Sequence, residues 1–154
     1  MSIVEHIRIR KLQEDDLDLF VELIKLFERV FGMDNFSIPS EKYLQSLLQN
    51  NGFDVFIAYK NNMVVGGLTT YILPQYYSKK PIAYIYDLAV DNDYQRQGIG
   101  MKLMEEVKKI YLVKGFEDVF VQAEMIDKHA IEFYRANNPS EEEQVTYFSY
   151  SLNT

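Results

Sequence analysis

Apolar and polar residues follow two different periods along this chain, and the changes of period predict ten elements. Alternating or short continuous apolar runs predict strands at residues 7–10, 55–59, 64–73, 82–90, 119–123 and 145–152. Three- and four-residue apolar spacing predicts helices at 14–31, from residue 40 onward, at 98–114 and at 128–137. Gly32 and Gly115 are typical helix stops, and Asn61-Asn62 is typical of a tight turn between paired strands.

The order of these elements predicts the fold class. Three strands follow one another without an intervening helix, which favours an antiparallel meander ending in the apolar and central strand 82–90. The strand–helix–strand unit after it implies a right-handed parallel crossover to a buried strand at 119–123. We therefore expect an α+β (α/β) protein with a mixed central β-sheet and helices on both faces. The 154 residues show no repeat or linker, so we expect a single domain over 1–154.

Composition narrows the range of functions. The chain has no Cys, which excludes disulfides, thiolate metal clusters and a cysteine nucleophile, and its two His residues are too dispersed for a metal site. With 23 acidic and 16 basic residues the net charge is −7, which disfavours a nucleic-acid partner and favours a cationic ligand. An acidic surface can equally serve solubility alone. No signal-peptide or membrane-spanning pattern is seen, so we expect a cytoplasmic protein without a membrane partner.

The junction between strand 82–90 and the next helix contains the strongest chemical signal. A short acidic turn, residues 91–94, leads into Gln95-Arg96-Gln97-Gly98-Ile99-Gly100 and the helix start. Free N–H groups at a helix N-terminus bind phosphate, and glycines let the backbone approach an oxygen closely. The spacing matches neither the dinucleotide fingerprint nor a Walker loop. Two glycines that merely form a turn remain the alternative explanation.

Two motifs together resemble a known family. Gln95-x-x-Gly98-x-Gly100 after an apolar strand resembles the pyrophosphate motif of the GCN5-related N-acetyltransferases (GNAT), and Asp127-x-x-Ala130-x-x-Phe133-Tyr134 is similar to the helix that holds the acetyl-CoA thiol end there. The resemblance implies the GNAT fold and acetyl-CoA as cofactor. The implied cofactor-binding residues are Leu88, Ala89, Val90, Gln95, Arg96, Gln97, Gly98, Ile99, Gly100, Met101, Asp127 and Ala130.

A closer resemblance, over residues 20–134, is to the type I aminoglycoside 3-N-acetyltransferases. The segments that show it are residues 27–32, 43–48, 65–68, 71–74, 85–90 and 121–124. The chain departs from that pattern at Asn138-Pro139, where the family usually has a Gly and an aromatic residue, and at Lys128, where an acid is usual. Asn tolerates a left-handed backbone, so we expect the helix stop before Pro139 to persist.

A mechanism can be assigned to individual residues. Asp87 precedes the phosphate-type loop and can orient an ammonium group and accept its proton, although a structural capping role is the alternative. The N–H groups of residues 88–90 can polarise a thioester oxygen. The resemblance implies that Tyr134 protonates the departing sulfur, and the absence of Cys favours direct transfer in a ternary complex. Candidate ligands for a polycationic substrate are Asp87 and the acids Glu28, Asp34, Glu124 and Asp127, and each of these last four can also be an ordinary surface acid.

Three functions stay open at this point. The first is an aminoglycoside 3-N-acetyltransferase, which implies antibiotic resistance. The second is a GNAT enzyme that acetylates a polyamine, an amino-acid derivative or a protein amine. The third is a non-catalytic acetyl-CoA-binding module. Exposed sheet edges in this fold lead us to expect a homodimer.

Overall fold

A computed structural model describes residues 6–153. The chain divides into two compact units, one ending at Gln122 and the other beginning at Ala123, and the single domain over 1–154 stays a prediction. None of the helices within residues 6–153 is long and apolar enough to cross a membrane. The first unit contains β1 (Arg8–Lys11), α1 (Leu17–Phe31), α2 (Glu41–Leu48), β2 (Phe53–Lys60), β3 (Met63–Leu73), β4 (Ile82–Val90), a 3-10 turn (Asn92–Tyr94), α3 (Ile99–Val113) and β5 (Asp118–Val121), and the second contains α4 (Lys128–Ala136).

The five strands form one mixed sheet in the order β1-β2-β3-β4-β5. Strands β1 to β4 are antiparallel neighbours and β5 runs parallel to β4, which confirms the meander and the parallel crossover. The middle position belongs to β3 and not, as expected, to β4, although β4 has a strand on each side. The strand predicted at 119–123 is present as β5, but its predicted burial is wrong, because β5 lies at the sheet edge and its residues are exposed or half-buried.

Helices cover both faces of the sheet, as the hydrophobic pattern predicts. On one face α1 buries Phe20, Leu23 and Leu26 in a cluster with Val55 and Ile57 of β2. On the other face α3 places the Tyr111 ring 5.8 Å from the ring of Phe56. Successive β2 residues alternate between the two cores because strand side chains alternate with a period of two.

Turns and caps agree with the local residue types. Asn61 and Asn62 have φ values of +52° and +60°, and the turn they form joins β2 to β3. The Ser40 hydroxyl accepts a hydrogen bond from the Tyr43 N–H at 3.3 Å and caps α2. Asn138, which follows the C-cap residue Asn137 of α4, has a φ of +57°, so the left-handed stop before Pro139 is confirmed.

The predicted strand at 145–152 is wrong for this chain. Residues 138–153 form neither helix nor strand, and Val145, Tyr147, Phe148, Tyr150 and Leu152 are all exposed. A strand exists only where a neighbouring strand pairs with it, and the apolar pattern alone supplies no neighbour.

Candidate active site

The loop after β4 is held in place by side-chain hydrogen bonds. Gln95 donates from Nε2 to the Val90 carbonyl at 3.2 Å and to Asn92 Oδ1 at 3.0 Å. Asp91 accepts a hydrogen bond from the Asp93 N–H at 3.0 Å. The Gln95 side chain therefore ties the loop to the end of the strand, which fixes the position from which α3 begins.

The N-terminus of α3 presents unpaired backbone donors. Gly98 is the N-cap, with a φ of +78° and no side-chain cap, and the first helical bond runs from the Lys102 N–H to the Gly98 carbonyl at 3.0 Å. The three N–H groups of residues 99–101 precede that bond and have no helical acceptor. No atom lies within 4 Å of the position of a Cβ on Gly98, so the space in front of these donors is open. This arrangement, with the positive end of the helix dipole, suits a phosphate.

Positive charge near this loop comes from a residue that the sequence analysis did not identify. Lys60, at the end of β2, donates to Gln97 Oε1 at 3.2 Å, and its Nζ lies 5.6 Å from the centre of the Tyr94 ring. Arg96 adds a second cation and has a φ of +64°. Lys60 precedes Gln97 by 37 positions, so only the strand pairing brings it to the loop.

Strand β4 is covered by β5 along only part of its length. Pairing with β5 runs from Ile82 to Ile85, and β4 continues to Val90. The Asp91 N–H donates to the Val65 carbonyl at 2.8 Å, and because peptide groups alternate in direction, those of Leu88 and Val90 point away from β3. Their N–H groups face the side that β5 leaves uncovered, where they can donate to a carbonyl oxygen. Ala89, between them, is buried.

A β-bulge lies next to Asp87. Thr69 pairs with Asp87 and Thr70 pairs with Ile85, so Tyr86 is an extra residue in β4. Thr70 bonds to Tyr111 on the α3 face, which places Thr69 and its partner Asp87 on the α1 face. Bulges redirect side chains and are frequent beside active sites.

The Asp87 carboxyl is half-buried, and burial raises its pKa above the usual range of an aspartate. None of the residues 6–153 donates a hydrogen bond to it or forms an ion pair with it. A carboxylate with a raised pKa and open acceptor sites is suited to bind an ammonium group and to accept a proton.

Glu28 and Asp34 line one shallow depression of about 460 Å³ at the end of α1. Lys25 and Arg29 line the same depression, so the acids there are partly neutralised. Arg29 also donates to Asp91 Oδ2 at 3.0 Å, which joins α1 to the loop after β4. The structure thus brings Glu28 and Asp34 together, and their role as substrate ligands stays a prediction.

The remaining predicted residues lie in the second unit. Asp127 caps α4, because its Oδ1 accepts a hydrogen bond from the Ala130 N–H at 3.0 Å. Tyr134 is half-buried on α4, with its ring 5.1 Å from that of Phe133. Glu124 is exposed, and its carbonyl accepts a hydrogen bond from the Asp127 N–H. The cap gives Asp127 and Ala130 a local structural role, whereas the roles proposed for Tyr134 and Glu124 stay predictions.

Fold and sequence together identify the family. The model of the acetyltransferase (GNAT) family matches residues 19–138. The chain therefore belongs to the GNAT acetyltransferase family, and the fold and the resemblance inferred from the two motifs are confirmed. The phosphate-type loop and the uncovered end of β4 lie within the matched region.

Individual proteins that are similar to this chain indicate the subfamily. An aminoglycoside acetyltransferase, meta-AAC0020, from an uncultured soil metagenomic sample, is 56% identical over 96% of this chain and 97% of that one, with a TM-score of 0.93 for its trehalose complex. Its sisomicin complex gives a TM-score of 0.94 at 55% identity over the same shares of both chains. A second soil-metagenome aminoglycoside acetyltransferase, HMB0005, is 28% identical over 95% of this chain and 99% of that one, with a TM-score of 0.84. An uncharacterised N-acetyltransferase of Methanocaldococcus jannaschii is 27% identical over 94% of this chain, which spans 65% of that protein.

Proposed function

We propose that the protein is an acetyl-CoA-dependent N-acetyltransferase that acetylates a small cationic amine, specifically an aminoglycoside at its 3-amino group. The observation that supports this most is the half-buried Asp87, whose carboxyl lacks a donor within residues 6–153 and lies on the strand that ends at the phosphate-type loop. The 56% identity to a protein described as an aminoglycoside acetyltransferase supports the substrate class.

The first unit has the residues that acetyl-CoA needs. The open N–H groups at the start of α3 and the Arg96 guanidinium suit its pyrophosphate, and a side chain at Gly98 would occupy the space in front of those donors. Acetyl-CoA supplies the activated acetyl group when it is bound. The outward N–H groups of Leu88 and Val90 stabilise negative charge on an acyl oxygen. In the second unit, Asp127 and Ala130 form the cap of α4, the helix that the family resemblance assigns to the thiol end.

The proton transfers are assigned to two side chains. Asp87 holds the substrate ammonium and accepts its proton, directly or through water, so that the neutral amine attacks. Tyr134 returns a proton to the departing sulfur. The chain has no Cys, so no cysteine-linked acetyl group forms and transfer to the amine is direct. Glu28, Asp34 and Glu124 contribute additional negative charge toward a polycationic substrate.

One assay tests the proposal. Thiol release from acetyl-CoA is measured with gentamicin-type aminoglycosides, linear polyamines, amino acids and a protein N-terminus as acceptors. We expect the highest kcat/KM for aminoglycosides, with a decrease at high salt, and product mapping by NMR should give the 3-N-acetyl derivative. Preference for a monocationic amine with little salt dependence contradicts the aminoglycoside assignment. Bound acetyl-CoA without any turnover contradicts the enzymatic one.

The same proposal has consequences for the cell. Acetylation removes a positive charge from the drug, so expression in a susceptible bacterium should raise resistance to the aminoglycosides that are turned over in vitro. We place the protein in the cytoplasm, where acetyl-CoA is available. Fractionation of cells that express it checks the location.

We further propose that the protein is a homodimer in which residues 145–152 pair with a sheet edge of a second copy. These residues have an apolar strand pattern, yet their large side chains are exposed and unpaired within residues 6–153. Sedimentation should give a dimer for the full chain and a monomer for a chain that ends at Gln144. A monomeric full chain contradicts this assembly.

A further inference from the structure

Aromatic side chains form a row across four strands on the face of the sheet that contains Asp87. The row consists of Phe53, Tyr71, Tyr84 and Phe120, which are successive cross-strand partners on β2, β3, β4 and β5. The ring centres of Phe53 and Tyr71 are 5.5 Å apart, and those of Tyr84 and Phe120 are stacked at 4.6 Å. We call these four residues the aromatic row.

The β-bulge adds a fifth ring to this row. Regular alternation would send Tyr86 and Asp87 to opposite faces, but the extra residue leaves both near the row. The Tyr86 ring centre lies 5.5 Å from that of Tyr71 and 5.9 Å from that of Tyr84, in edge-to-face contacts. Tyr86 is therefore positioned by the rings of Tyr71 and Tyr84, and it lies next to Asp87 in the sequence.

The row packs against the core at Phe53, and the part around Tyr71 and Tyr86 is open to solvent. The ring of Phe53 lies 6.2 Å from that of Phe20 on α1. Tyr71 is 41% exposed and Tyr86 is 58% exposed. Aromatic rings held by neighbouring rings and yet left in contact with solvent form a preorganised surface, because little side-chain entropy remains to be lost when a ligand binds.

The electrostatics around the exposed rings of Tyr71 and Tyr86 favour a cation. Burial raises the pKa of the Tyr71 hydroxyl, and the nearby Tyr86, Asp87 and Tyr43 raise it further, so these groups share one environment. Tyr43, on α2, is 53% exposed. The surface around Tyr71 thus combines negative ring faces with the Asp87 carboxylate, a combination that binds ammonium groups in water.

We propose that Tyr71 and Tyr86 form an aromatic platform that binds the ring bearing the substrate's ammonium group beside Asp87. This deepens the proposed function and rests on it. An amino sugar suits such a platform because its C–H face packs on an aromatic ring while its ammonium groups interact with the ring face and the carboxylate. A linear polyamine offers the charge without the flat apolar face. The two tyrosines therefore select cyclic cationic amines over linear ones.

Three kinds of variant distinguish the contribution of the tyrosine ring from that of its hydroxyl and from an effect on folding. We expect Tyr86→Leu to raise the KM for an aminoglycoside about 3- to 30-fold, the range of one cation–π contact, and to leave the KM for acetyl-CoA unchanged. Tyr86→Phe retains the ring, so its KM for the aminoglycoside should stay within about twofold of the wild-type value. At position 71, Tyr71→Leu should likewise raise this KM more than Tyr71→Phe. Tyr76→Leu is the matched control, because Tyr76 is 98% exposed and also has a tyrosine neighbour, Tyr77, with ring centres 4.9 Å apart. An equal rise in the aminoglycoside KM for the Phe and Leu variants contradicts the platform, since the hydroxyl would then be the group that contacts the substrate.

A binding measurement keeps this inference distinct from the proposed function. Sisomicin is titrated by calorimetry into protein saturated with coenzyme A, which has no acetyl group to transfer. Sisomicin binding that weakens in Tyr86→Leu but not in Tyr76→Leu supports the platform. If no amine is acetylated in that case, the proposed function is wrong but the platform is not. Turnover of aminoglycosides with unchanged KM and affinity in the Leu variants overturns the platform and leaves the proposed function intact. No sisomicin binding to the wild type overturns the platform.

Discussion

Two aspartates lie within strands of the same sheet, on opposite faces, and they differ in every contact. Asp54 of β2 is 5% exposed, accepts a hydrogen bond from the Tyr111 hydroxyl at 2.7 Å and forms an ion pair with Lys11 at 3.2 Å. Asp87 of β4 is half-buried and has no such donor within residues 6–153. Identical side chains in one sheet therefore have different environments, one with hydrogen-bond and ion-pair partners and one without them in residues 6–153.

The Asp54 site is closed on itself. The Tyr111 hydroxyl also lies 2.5 Å from Thr70 Oγ1, and burial, together with the hydrogen bond to Asp54, raises the pKa of Tyr111. A satisfied buried network stabilises and rigidifies a core, and an unsatisfied carboxylate at the surface of a site remains available to a ligand. We therefore propose that Asp54 is structural and that Asp87 is functional.

The largest effect should follow from placing an aspartate beside the open N–H donors at the start of α3. Gly98→Asp adds negative charge and a Cβ at a φ of +78° in front of the open donors of α3. Repulsion of the pyrophosphate should weaken coenzyme A binding by more than about 10²-fold in calorimetry.

Two controls accompany Gly98→Asp. Gly98→Asn has similar bulk without the charge and should bind more tightly than the Asp variant. Gly115→Asp places the same residue at a φ of +83° after the other end of α3 and should retain coenzyme A affinity. Unchanged affinity in Gly98→Asp would show that the pyrophosphate binds elsewhere.

Asp87→Asn should have the next largest effect. It retains the shape and removes the charge that we propose holds the ammonium and accepts its proton, so kcat/KM for aminoglycosides should fall at least tenfold, roughly 1.4 kcal/mol or more. Coenzyme A affinity and the free energy of unfolding should remain close to those of the wild type. A variant with full kcat/KM would remove Asp87 from the reaction.

The same substitution at Asp54 should lower stability and leave activity unchanged. Asp54→Asn weakens the bonds to Tyr111 and Lys11 and should lower the free energy of unfolding by about 1–2 kcal/mol, which corresponds to roughly 3–6 °C in Tm. Thermal denaturation measures the loss, and kcat/KM per folded molecule should not change. A large fall in kcat/KM with an unchanged Tm would contradict the structural role of Asp54.

The smallest effect concerns pH. Burial raises the folded-state pKa of Asp87 above its unfolded value, so between the two values the folded protein binds more protons than the unfolded chain. The free energy of unfolding should therefore decrease, through this group, as pH rises across that window, and Asp87→Asn should lack the decrease. Urea unfolding of both proteins at a series of acidic pH values measures the difference. A wild-type advantage that grows with pH would mean that a partner stabilises the charged form.

The local hydrophobic pattern of the sequence predicts most of the strands and helices, but it does not predict the side chains that surround the candidate site. The bounds of β4, Ile82–Val90, agree with the sequence prediction because its apolar run ends at an acidic turn. The strand expected at 145–152 failed because pairing is not encoded by a segment alone. The aromatic row depends on the register of four strands, and the Asp54 network joins residues 57 positions apart, so neither is visible in local spacing. Asp87 could be predicted as a site residue because its clue, a carboxylate just before a phosphate-type loop, is local.

The bulge at Tyr86 also bears on how such a protein can change over evolutionary time. Thr69 and Thr70 pair with Asp87 and Ile85, so the ladder is complete on both sides of the inserted residue. Loss of position 86 would close the ladder without turning Asp87 to the other face, and substitution there alters a side chain that contacts the rings of Tyr71 and Tyr84 but has no partner in the ladder. Position 86 is thus a one-residue insertion at which a lineage can acquire, replace or discard a contact beside Asp87 while the rest of the sheet stays unaltered.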